Sequence, residues 1–211
     1  MNISISQDTK NKGFLMNVFG PMFAGKSSTA MRQGTIFKSI GWKVLCIRIA
    51  DDTRYDLNKM TTHDGMSMDA IIAVDLRDVH KKYANPETDM MPYDCIIIDE
   101  IQFFNPVTTI DICRLWRKKG VFVICTGLDL DKDRTWWPVS LELNRFKDDV
   151  IFLKAYCMHC KEAPAPFTWC LNANSDKKDI GGADKYMAVC GHCYDVLLEE
   201  RAAIQKLKIG C

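Results

Sequence analysis

Short, almost wholly apolar runs recur along much of the chain. The first covers residues 14–19, and later ones lie at 43–49, 93–98, 121–125 and 150–156. Their length and apolar composition, with many β-branched residues, are typical of strands buried on both faces, as in a parallel sheet. We therefore predict a strand at each run.

Three segments between these runs contain helix-forming residues and helix end signals. Residues 27–40 end before a glycine, and residues 75–84 end before an Asn-Pro pair. The third segment begins at Asn105 and Pro106, which suit an N-cap and a first helical position, and it ends before Gly120. The alternation of strands and helices predicts an α/β fold, with a parallel sheet flanked by helices.

The composition changes near residue 156, where cysteine, proline and glycine replace the apolar runs. We predict a flexible N-terminal arm at 1–12, an α/β domain at 13–155, a small second domain at 156–195 and a tail at 196–211. The pattern within the tail predicts a short amphipathic helix at 196–209.

The composition is that of an average globular chain, with 47% hydrophobic and 26% charged residues. No apolar run reaches the roughly 18 residues that a membrane-spanning helix needs, and the polar start lacks the order of a secretory signal. We therefore expect a cytoplasmic protein with no membrane partner. The 28 basic and 27 acidic residues give a net charge of +1, which disfavours nucleic-acid binding.

A phosphate-binding pattern lies between the first predicted strand and the first predicted helix. The pattern G-x-x-x-x-G-K-[ST] is matched by Gly20, Pro21, Met22, Phe23, Ala24, Gly25, Lys26 and Ser27. Its glycines let backbone N–H groups approach a polyphosphate, Lys26 adds positive charge and Ser27 offers a hydroxyl to Mg²⁺. A chance glycine turn is the alternative, but the flanking elements disfavour it. The pattern predicts a P-loop NTPase-like domain.

Two acids, Asp99 and Glu100, follow the apolar run at 93–98. Asp99 is expected to hold Mg²⁺ through water, which leaves Glu100 free to act as a base. The proton that Glu100 removes could come from water, in an ATPase, or from an alcohol, in a kinase. Hydrated acids at a strand end are the alternative, which the phosphate loop disfavours.

Two C-x-x-C pairs flank positions 161–189: Cys157 with Cys160, and Cys190 with Cys193. Four thiolates suit a closed, tetrahedral structural zinc site, and without a secretion signal disulfides are disfavoured. A redox-active C-x-x-C is the rival interpretation, but the duplication of the pair favours zinc. His159 and His192 are alternative ligands, although each pair already supplies two sulfurs.

Together with shorter motifs, these features resemble the zinc-containing thymidine kinases. The shorter motifs are Asp52-Thr53-Arg54-Tyr55, Thr62-His63-Asp64, the DE-x-Q-F-F segment at 99–104 and the IGGADKY segment at 180–186. The match runs in order from about residue 13 to 194. The combination of IGGADKY with DE-x-Q-F-F makes the resemblance specific.

The resemblance implies transfer of a phosphoryl group from ATP-Mg²⁺ to the 5′-hydroxyl of deoxythymidine, with Glu100 as the catalytic base. It places Asp64, Asp99 and Gln102 with the phosphate loop at the ATP site, and Ser27 and Asp99 at Mg²⁺. It also implies a structural Zn²⁺, a homotetramer and feedback binding of dTTP.

In such kinases, the loop between the cysteine pairs folds over the nucleoside as a lasso. The implied nucleoside contacts are Met22, Phe103, Leu128, Lys178, Asp179, Ile180, Gly181 and Tyr186. Met22 and Leu128 match positions around the 5-methyl group, whose burial discriminates by about 1–3 kcal/mol. Simple core packing is the alternative for both residues.

The chain departs from the family pattern at Leu130, Asp131 and Lys132. The neighbouring Trp136 and Trp137 could compensate, but the departure leaves the pocket wall and the range of pyrimidine nucleosides open. The resemblance assigns no role to Arg54, His63 or Arg134.

Two other functions use the same motifs. A nucleic-acid-stimulated ATPase could combine a phosphate loop, an Asp-Glu pair and a zinc ribbon, but the balanced charge disfavours it. An interaction module with an inactive nucleotide fold is disfavoured by the intact Lys26, Ser27, Asp99 and Glu100.

Overall fold

The computed structural model describes residues 11–49, 59–61, 65–172 and 181–209. The α-helices are α1 (Lys26–Ser39), α2 (Leu76–Tyr83), α3 (Pro106–Lys118), α4 (Pro138–Phe146) and α5 (Gly191–Ile209), and a 3₁₀ helix covers Ile101–Phe103. The strands are β1 (Phe14–Phe19), β2 (Val44–Ile49), β3 (Lys59–Thr61), β4 (Ser67–Ala73), β5 (Cys95–Ile98), β6 (Phe122–Gly127), β7 (Asp149–Phe152), β8 (Ala155–Tyr156), β9 (Pro164–Ala165), β10 (Phe167–Cys170) and β11 (Tyr186–Val189).

The main sheet has the strand order β3-β4-β2-β5-β6-β1-β7 in the described residues. Among the described strands of this sheet, only β3 pairs antiparallel, with β4, whereas the other pairs are parallel. The register sets Phe19 beside Gly127, and Ile98 beside Cys125. Because parallel strands end at one edge, the segments after β1, β5 and β6 leave the sheet at its carboxyl edge, where α/β proteins bind ligands.

Helices cover both faces of this sheet. Alternate strand residues such as Leu15 and Ile96 share a core with Trp116 of α3 and Leu143 of α4. Phe37 of α1 packs against Phe122 of β6. The next residue of β6, Val123, belongs instead to the core that contains Trp116. This alternation identifies a three-layer α/β architecture, as the sequence predicted.

A second compact unit combines three stretches of chain, namely Gly20–Gly25, Leu130–Thr135 and the described residues from Leu153 onward. It contains two small antiparallel sheets, β8-β9 and β10-β11. Its core includes Trp169, Val189 and Tyr194 together with cysteines of both C-x-x-C pairs. The cysteine pairs therefore take part in the packing of this unit.

Most predicted core elements are confirmed. The predicted run at 14–19 coincides with β1, those at 43–49 and 93–98 contain β2 and β5, and the run at 121–125 overlaps β6, which ends two residues later. The N-cap prediction for α3 is also confirmed, since the Asn105 carboxamide oxygen accepts hydrogen bonds from the backbone N–H groups of residues 107 and 108.

Other elements differ from the predictions. The predicted strand at 150–156 is divided into β7 and β8, and the predicted helix at 196–209 begins earlier, at Gly191. The sequence analysis missed α4, the seven-residue strand β4 and the short strands β3 and β9–β11. None of the helices in the described ranges is long and apolar enough to cross a bilayer.

Candidate active site and cysteine cluster

The phosphate loop follows β1 and leads into α1. Gly20 has a φ of +150°, and a Cβ atom there would lie 2.4 Å from the carbonyl oxygen of Leu153. The backbone N–H of Met22 donates to Thr168 Oγ1 at 3.0 Å. The first glycine of the pattern is therefore required by a close backbone approach, and Thr168 holds the next turn.

Asp99 lies at the end of β5, between hydroxyls from two other elements. Ser27 Oγ, in the first turn of α1, lies 3.0 Å from both carboxylate oxygens of Asp99. The buried Thr126 on β6 donates its hydroxyl to the same carboxylate. The structure therefore brings the predicted magnesium residues Ser27 and Asp99 together and adds Thr126, which the sequence analysis missed.

Glu100 occupies the sharp turn between β5 and the 3₁₀ helix. Its φ of +53° lies in the left-handed region, which is unusual for a residue with a side chain. Gln102 Nε2 donates to Glu100 Oε2, while the backbone N–H of Leu128 donates to Gln102 Oε1 at 3.1 Å. Residues with such left-handed backbone conformations are concentrated at functional sites, so the conformation of Glu100 supports a functional role for this residue.

Lys26 begins α1 and is half-buried. Burial lowers the pKa of the Lys26 ammonium below its usual value, while the nearby carboxylates of Glu100, Asp99 and Asp129 oppose that change. One lysine and three acids thus share a small region of the α/β unit. Asp129 was not among the predicted site residues, and its position directly after Leu128 was the available signal.

Phe103 and Leu128 are half-buried in the α/β unit. The Phe103 ring meets Trp137 edge-on with 6.0 Å between centroids. Trp136 instead meets Phe152, with 6.4 Å between centroids. Of the two tryptophans, Trp137 is therefore the one that packs against Phe103.

The remaining predicted nucleoside contacts are divided between the second unit and the undescribed segments. Tyr186 is buried and pairs with Cys170 across β10 and β11, while Gly181 precedes a turn in which Tyr186 N–H donates to Gly182 O at 3.0 Å. The residues that lie outside the described ranges are Arg54, His63, Asp64, Lys178, Asp179 and Ile180.

The four cysteines of the two C-x-x-C pairs form a cluster. The Sγ atoms of Cys157, Cys160, Cys190 and Cys193 all lie within 4.8 Å of one another. A tetrahedral Zn²⁺ with Zn–S bonds of about 2.3 Å would need sulfurs about 3.8 Å apart, so the cluster could hold such an ion. His159 and His192 are exposed and lie outside it.

The thiols of the cluster differ in acidity. Burial raises the pKa of Cys157, but hydrogen bonds from the backbone at Cys160, Cys190 and His159 outweigh it and lower that pKa to about 6. For Cys193, burial and its neighbouring thiols raise the pKa to about 12. Thiolates are the metal-binding form, so the backbone around Cys157 already favours a metal ligand.

The loop at 130–135, where the sequence departs from the family pattern, is organised within the second unit. Asp131 is buried and accepts hydrogen bonds from the backbone N–H groups of Asp133 and Thr135, each at 2.9 Å. The Arg134 guanidinium lies 3.6 Å from the Tyr194 ring centroid. Tyr194 in turn donates its hydroxyl to the carbonyl oxygen of Lys132 at 2.6 Å.

Arg134 therefore connects this loop to the cysteine-bearing part of the unit. Its guanidinium also lies 4.4 Å from the Phe167 ring centroid and donates to Asp195 at 2.7 Å. The sequence analysis assigned Arg134 no role, because its partners are distant in sequence.

The comparison with protein families decides between the candidate functions. Residues 13–194 match the model of the family described as thymidine kinase. The chain belongs to the thymidine kinase family. The resemblance seen in the motifs is thereby confirmed, and the nucleic-acid-stimulated ATPase has no comparable support.

Individual thymidine kinases from distant sources are similar to this chain. A thymidine kinase of Mycoplasma mobile is 31% identical over 198 residues, which cover 94% of this chain and 95% of the relative. The human cytosolic thymidine kinase is 36% identical over 186 residues, covering 88% and 75%. The variola virus thymidine kinase is 32% identical over 185 residues, covering 87% and 98%.

Proposed function

We propose that this thymidine kinase transfers the γ-phosphoryl group of ATP to the 5′-hydroxyl of deoxythymidine, which gives dTMP and ADP. The observation that carries the proposal is the cluster of Lys26, Ser27, Asp99 and Glu100 within the α/β unit of a chain of this family. Phosphoryl transfer needs mainly positioning and charge stabilisation, and these residues supply both.

The phosphate loop and the start of α1 bind the triphosphate in this proposal. Backbone N–H groups of Gly20–Gly25 and the helix N-terminus favour negative charge. The Lys26 ammonium stabilises charge on the transferred group, and the nearby carboxylates oppose the lowering of its pKa by burial, which favours its charged form. Asp64 and Gln102 are proposed as further ATP-site residues.

The donor set at Ser27 and Asp99 fits Mg²⁺, because it consists of hard hydroxyl and carboxylate oxygens 3.0 Å apart. When bound, Mg²⁺ neutralises charge on the terminal phosphates. Ser27 and Asp99 would hold the ion, with water between it and Asp99. Thr126 keeps the Asp99 carboxylate in place through its hydroxyl hydrogen bond.

Glu100 is the proposed catalytic base. Its carboxylate accepts the proton of the 5′-hydroxyl as that oxygen attacks the γ-phosphorus, and ADP leaves with the electron pair of the broken P–O bond. The carboxylate of Glu100 in turn helps to keep the Lys26 ammonium charged, because it opposes the lowering of the Lys26 pKa by burial.

The nucleoside contacts proposed in the α/β unit are Phe103 and Leu128. Those in the second unit are Met22, Gly181 and Tyr186, and the remaining ones are Lys178, Asp179 and Ile180. An apolar pocket favours a base that carries a methyl group, although the methyl contributes only about 1–3 kcal/mol of discrimination.

The cysteine cluster is proposed as a structural zinc site. Four sulfur donors suit Zn²⁺, and the mutual Sγ distances within 4.8 Å allow tetrahedral coordination. When bound, Zn²⁺ would cross-link the two cysteine pairs and stabilise the fold around them.

Further proposals concern the organisation of the protein. The domain limits at 1–12, 13–155, 156–195 and 196–211 remain proposals, as do a homotetramer and feedback binding of dTTP. Light scattering and inhibition kinetics with dTTP test the last two. A cytoplasmic location is supported by the relatives from chicken, cattle and human, which are named cytosolic.

A nucleoside panel tests the reaction. With ATP and Mg²⁺, deoxythymidine should be converted to its monophosphate faster than deoxyuridine, deoxycytidine or the purine deoxynucleosides. ADP release that requires single-stranded DNA and ignores deoxythymidine would overturn the proposal in favour of a DNA-stimulated ATPase. The variant Lys26→Ala provides the control, because loss of its charge should weaken phosphate binding and transfer.

A further inference from the structure

Gln102 links the end of β6 to Glu100. Its side chain is 3% exposed and contacts two groups of fixed hydrogen-bonding character. The backbone N–H of Leu128 can only donate, so the atom that faces it at 3.1 Å must be the carboxamide oxygen. The carboxamide nitrogen then faces Glu100, where it donates to Oε2. The chemistry of the two partners therefore fixes the orientation of the amide.

The turn after Glu100 makes this contact possible. The left-handed φ of +53° at Glu100 is followed directly by the 3₁₀ helix, in which Phe103 N–H donates to Glu100 O at 3.1 Å. This tight turn returns the side chain of residue 102 to that of residue 100. The amide supplies a hydrogen-bond donor without adding a charge beside Lys26, Asp99 and Asp129.

Gly127 leaves the space that the amide occupies. A Cβ atom at Gly127 would lie 2.4 Å from Gln102 Oε1 and 2.7 Å from Ile101 Cγ2. Both distances are too short for non-bonded atoms, so a side chain at this position would displace Gln102. Gly127 is in ordinary strand conformation, so close approach and not backbone flexibility explains the glycine.

We infer that Gln102 is a positioning residue, which holds the Glu100 carboxylate for proton transfer and is itself held by Leu128 N–H in the space left by Gly127. The inference deepens the proposed function and rests on Glu100 as the base. It differs from the ATP-site role proposed for Gln102, because a positioning residue acts through Glu100.

The test compares Gln102→Met, which keeps side-chain length but removes both hydrogen bonds, with the parent enzyme. We expect kcat to fall roughly 10- to 100-fold, because the variant loses a hydrogen bond to a charged group. The KM values for ATP and deoxythymidine should stay nearly unchanged. The matched control is Gln33→Met. Gln33 is also a buried glutamine, but it lies on α1, and this variant should keep its kcat.

The same substitution in a Glu100→Gln background separates the two roles. If Gln102 acts through Glu100, the double variant should be no slower than Glu100→Gln alone. Additive losses of kcat, or a raised KM for ATP, would overturn the positioning role. If Glu100→Gln alone turns over normally, the base assignment fails first and the inference fails with it.

Gly127→Ala keeps the test decisive if Gln102→Met does not fold. It retains Gln102 but moves its amide, so kcat should again fall while ATP still binds in a direct titration. A Gly127→Ala enzyme that binds ATP and turns over at the parent rate would overturn the inference.

Discussion

Asp99 and Glu100 are neighbours in sequence but accept hydrogen bonds from different donors. Asp99 accepts hydrogen bonds from the hydroxyls of Ser27 and Thr126, whereas Glu100 accepts one from the side-chain amide of Gln102. The left-handed backbone at Glu100 separates the two environments. The Asp99 carboxylate is thus suited to metal binding, and the Glu100 carboxylate to proton transfer.

At this scale, replacement of the proposed base is the most direct experiment. Glu100→Gln should lower kcat for deoxythymidine phosphorylation by roughly 10²- to 10⁴-fold, because the amide cannot accept the proton. ATP affinity should persist, and calorimetry with ATP and Mg²⁺ checks it. Near-normal turnover would contradict the assignment.

Thr126 provides a second test among the residues missed by sequence. Thr126→Val keeps the buried shape but removes the donor to Asp99, so the Mg²⁺ concentration for half-maximal activity should rise several-fold. Thr126→Ser restores the hydroxyl and should recover most of the parental Mg²⁺ dependence. Identical magnesium titrations for Thr126→Val and the parent would contradict this role.

The sequence indicated the two acids together with Ser27 and Gln102 at this site, but not which groups donate hydrogen bonds to each acid. An apolar strand that ends in Asp-Glu after a phosphate-binding pattern is a local signal, and the structure brings Ser27 and Asp99 together. Gln102 with Leu128, and Thr126 with Asp99, are joined by the fold alone. Their roles depend on β5 and β6 being adjacent, which no local pattern specifies.

At the scale of elements, burial on both faces decides which strands can be predicted. β5 and β6 are buried along their whole length, and β5 and residues 122–125 of β6 are continuous apolar runs. β4 instead alternates between exposed and buried residues, and its polar positions hid it. The helix α4 begins at Pro138, and its N-cap residue Trp137 makes no side-chain cap hydrogen bond, so the capping signal at its start was absent.

The loop at 130–135 gives a stability prediction. Arg134→Ala removes two cation–π contacts and the ion pair with Asp195, and should destabilise the protein by about 1–3 kcal/mol in urea unfolding. Arg134→Lys should be intermediate, since it keeps the charge but loses the planar group.

The control for this loss is Arg145→Ala. Arg145 is 65% exposed and pairs with Glu142 on the same helix, so its removal should change stability by less than about 0.5 kcal/mol. Equal losses for the two arginines would show that the stacking on Tyr194 and Phe167 adds nothing.

For the molecule as a whole, the proposed zinc site at the cysteine cluster predicts that stability depends on a metal. Purified protein should contain about one Zn²⁺ per chain. Cys160→Ala should lose the metal, lower the melting temperature and raise KM for deoxythymidine if the cluster shapes the nucleoside loop. Elemental analysis, thermal unfolding and kinetics on the same sample provide the three readouts.

The matched control is Cys113→Ala, a buried free cysteine of the α/β core. It should cost some stability through lost packing but keep its zinc. Retention of full zinc by Cys160→Ala would contradict a four-cysteine site.

The second unit is assembled from three separate stretches of chain, two of which interrupt the α/β unit after β1 and β6. Contacts such as Met22 N–H with Thr168 and Tyr194 with Lys132 join these stretches. A chimaera that exchanges only the residues after 152 with those of another kinase would therefore pair a foreign core with the native segments 20–25 and 130–135. A functional chimaera should be obtained only when all three stretches of the second unit are exchanged together.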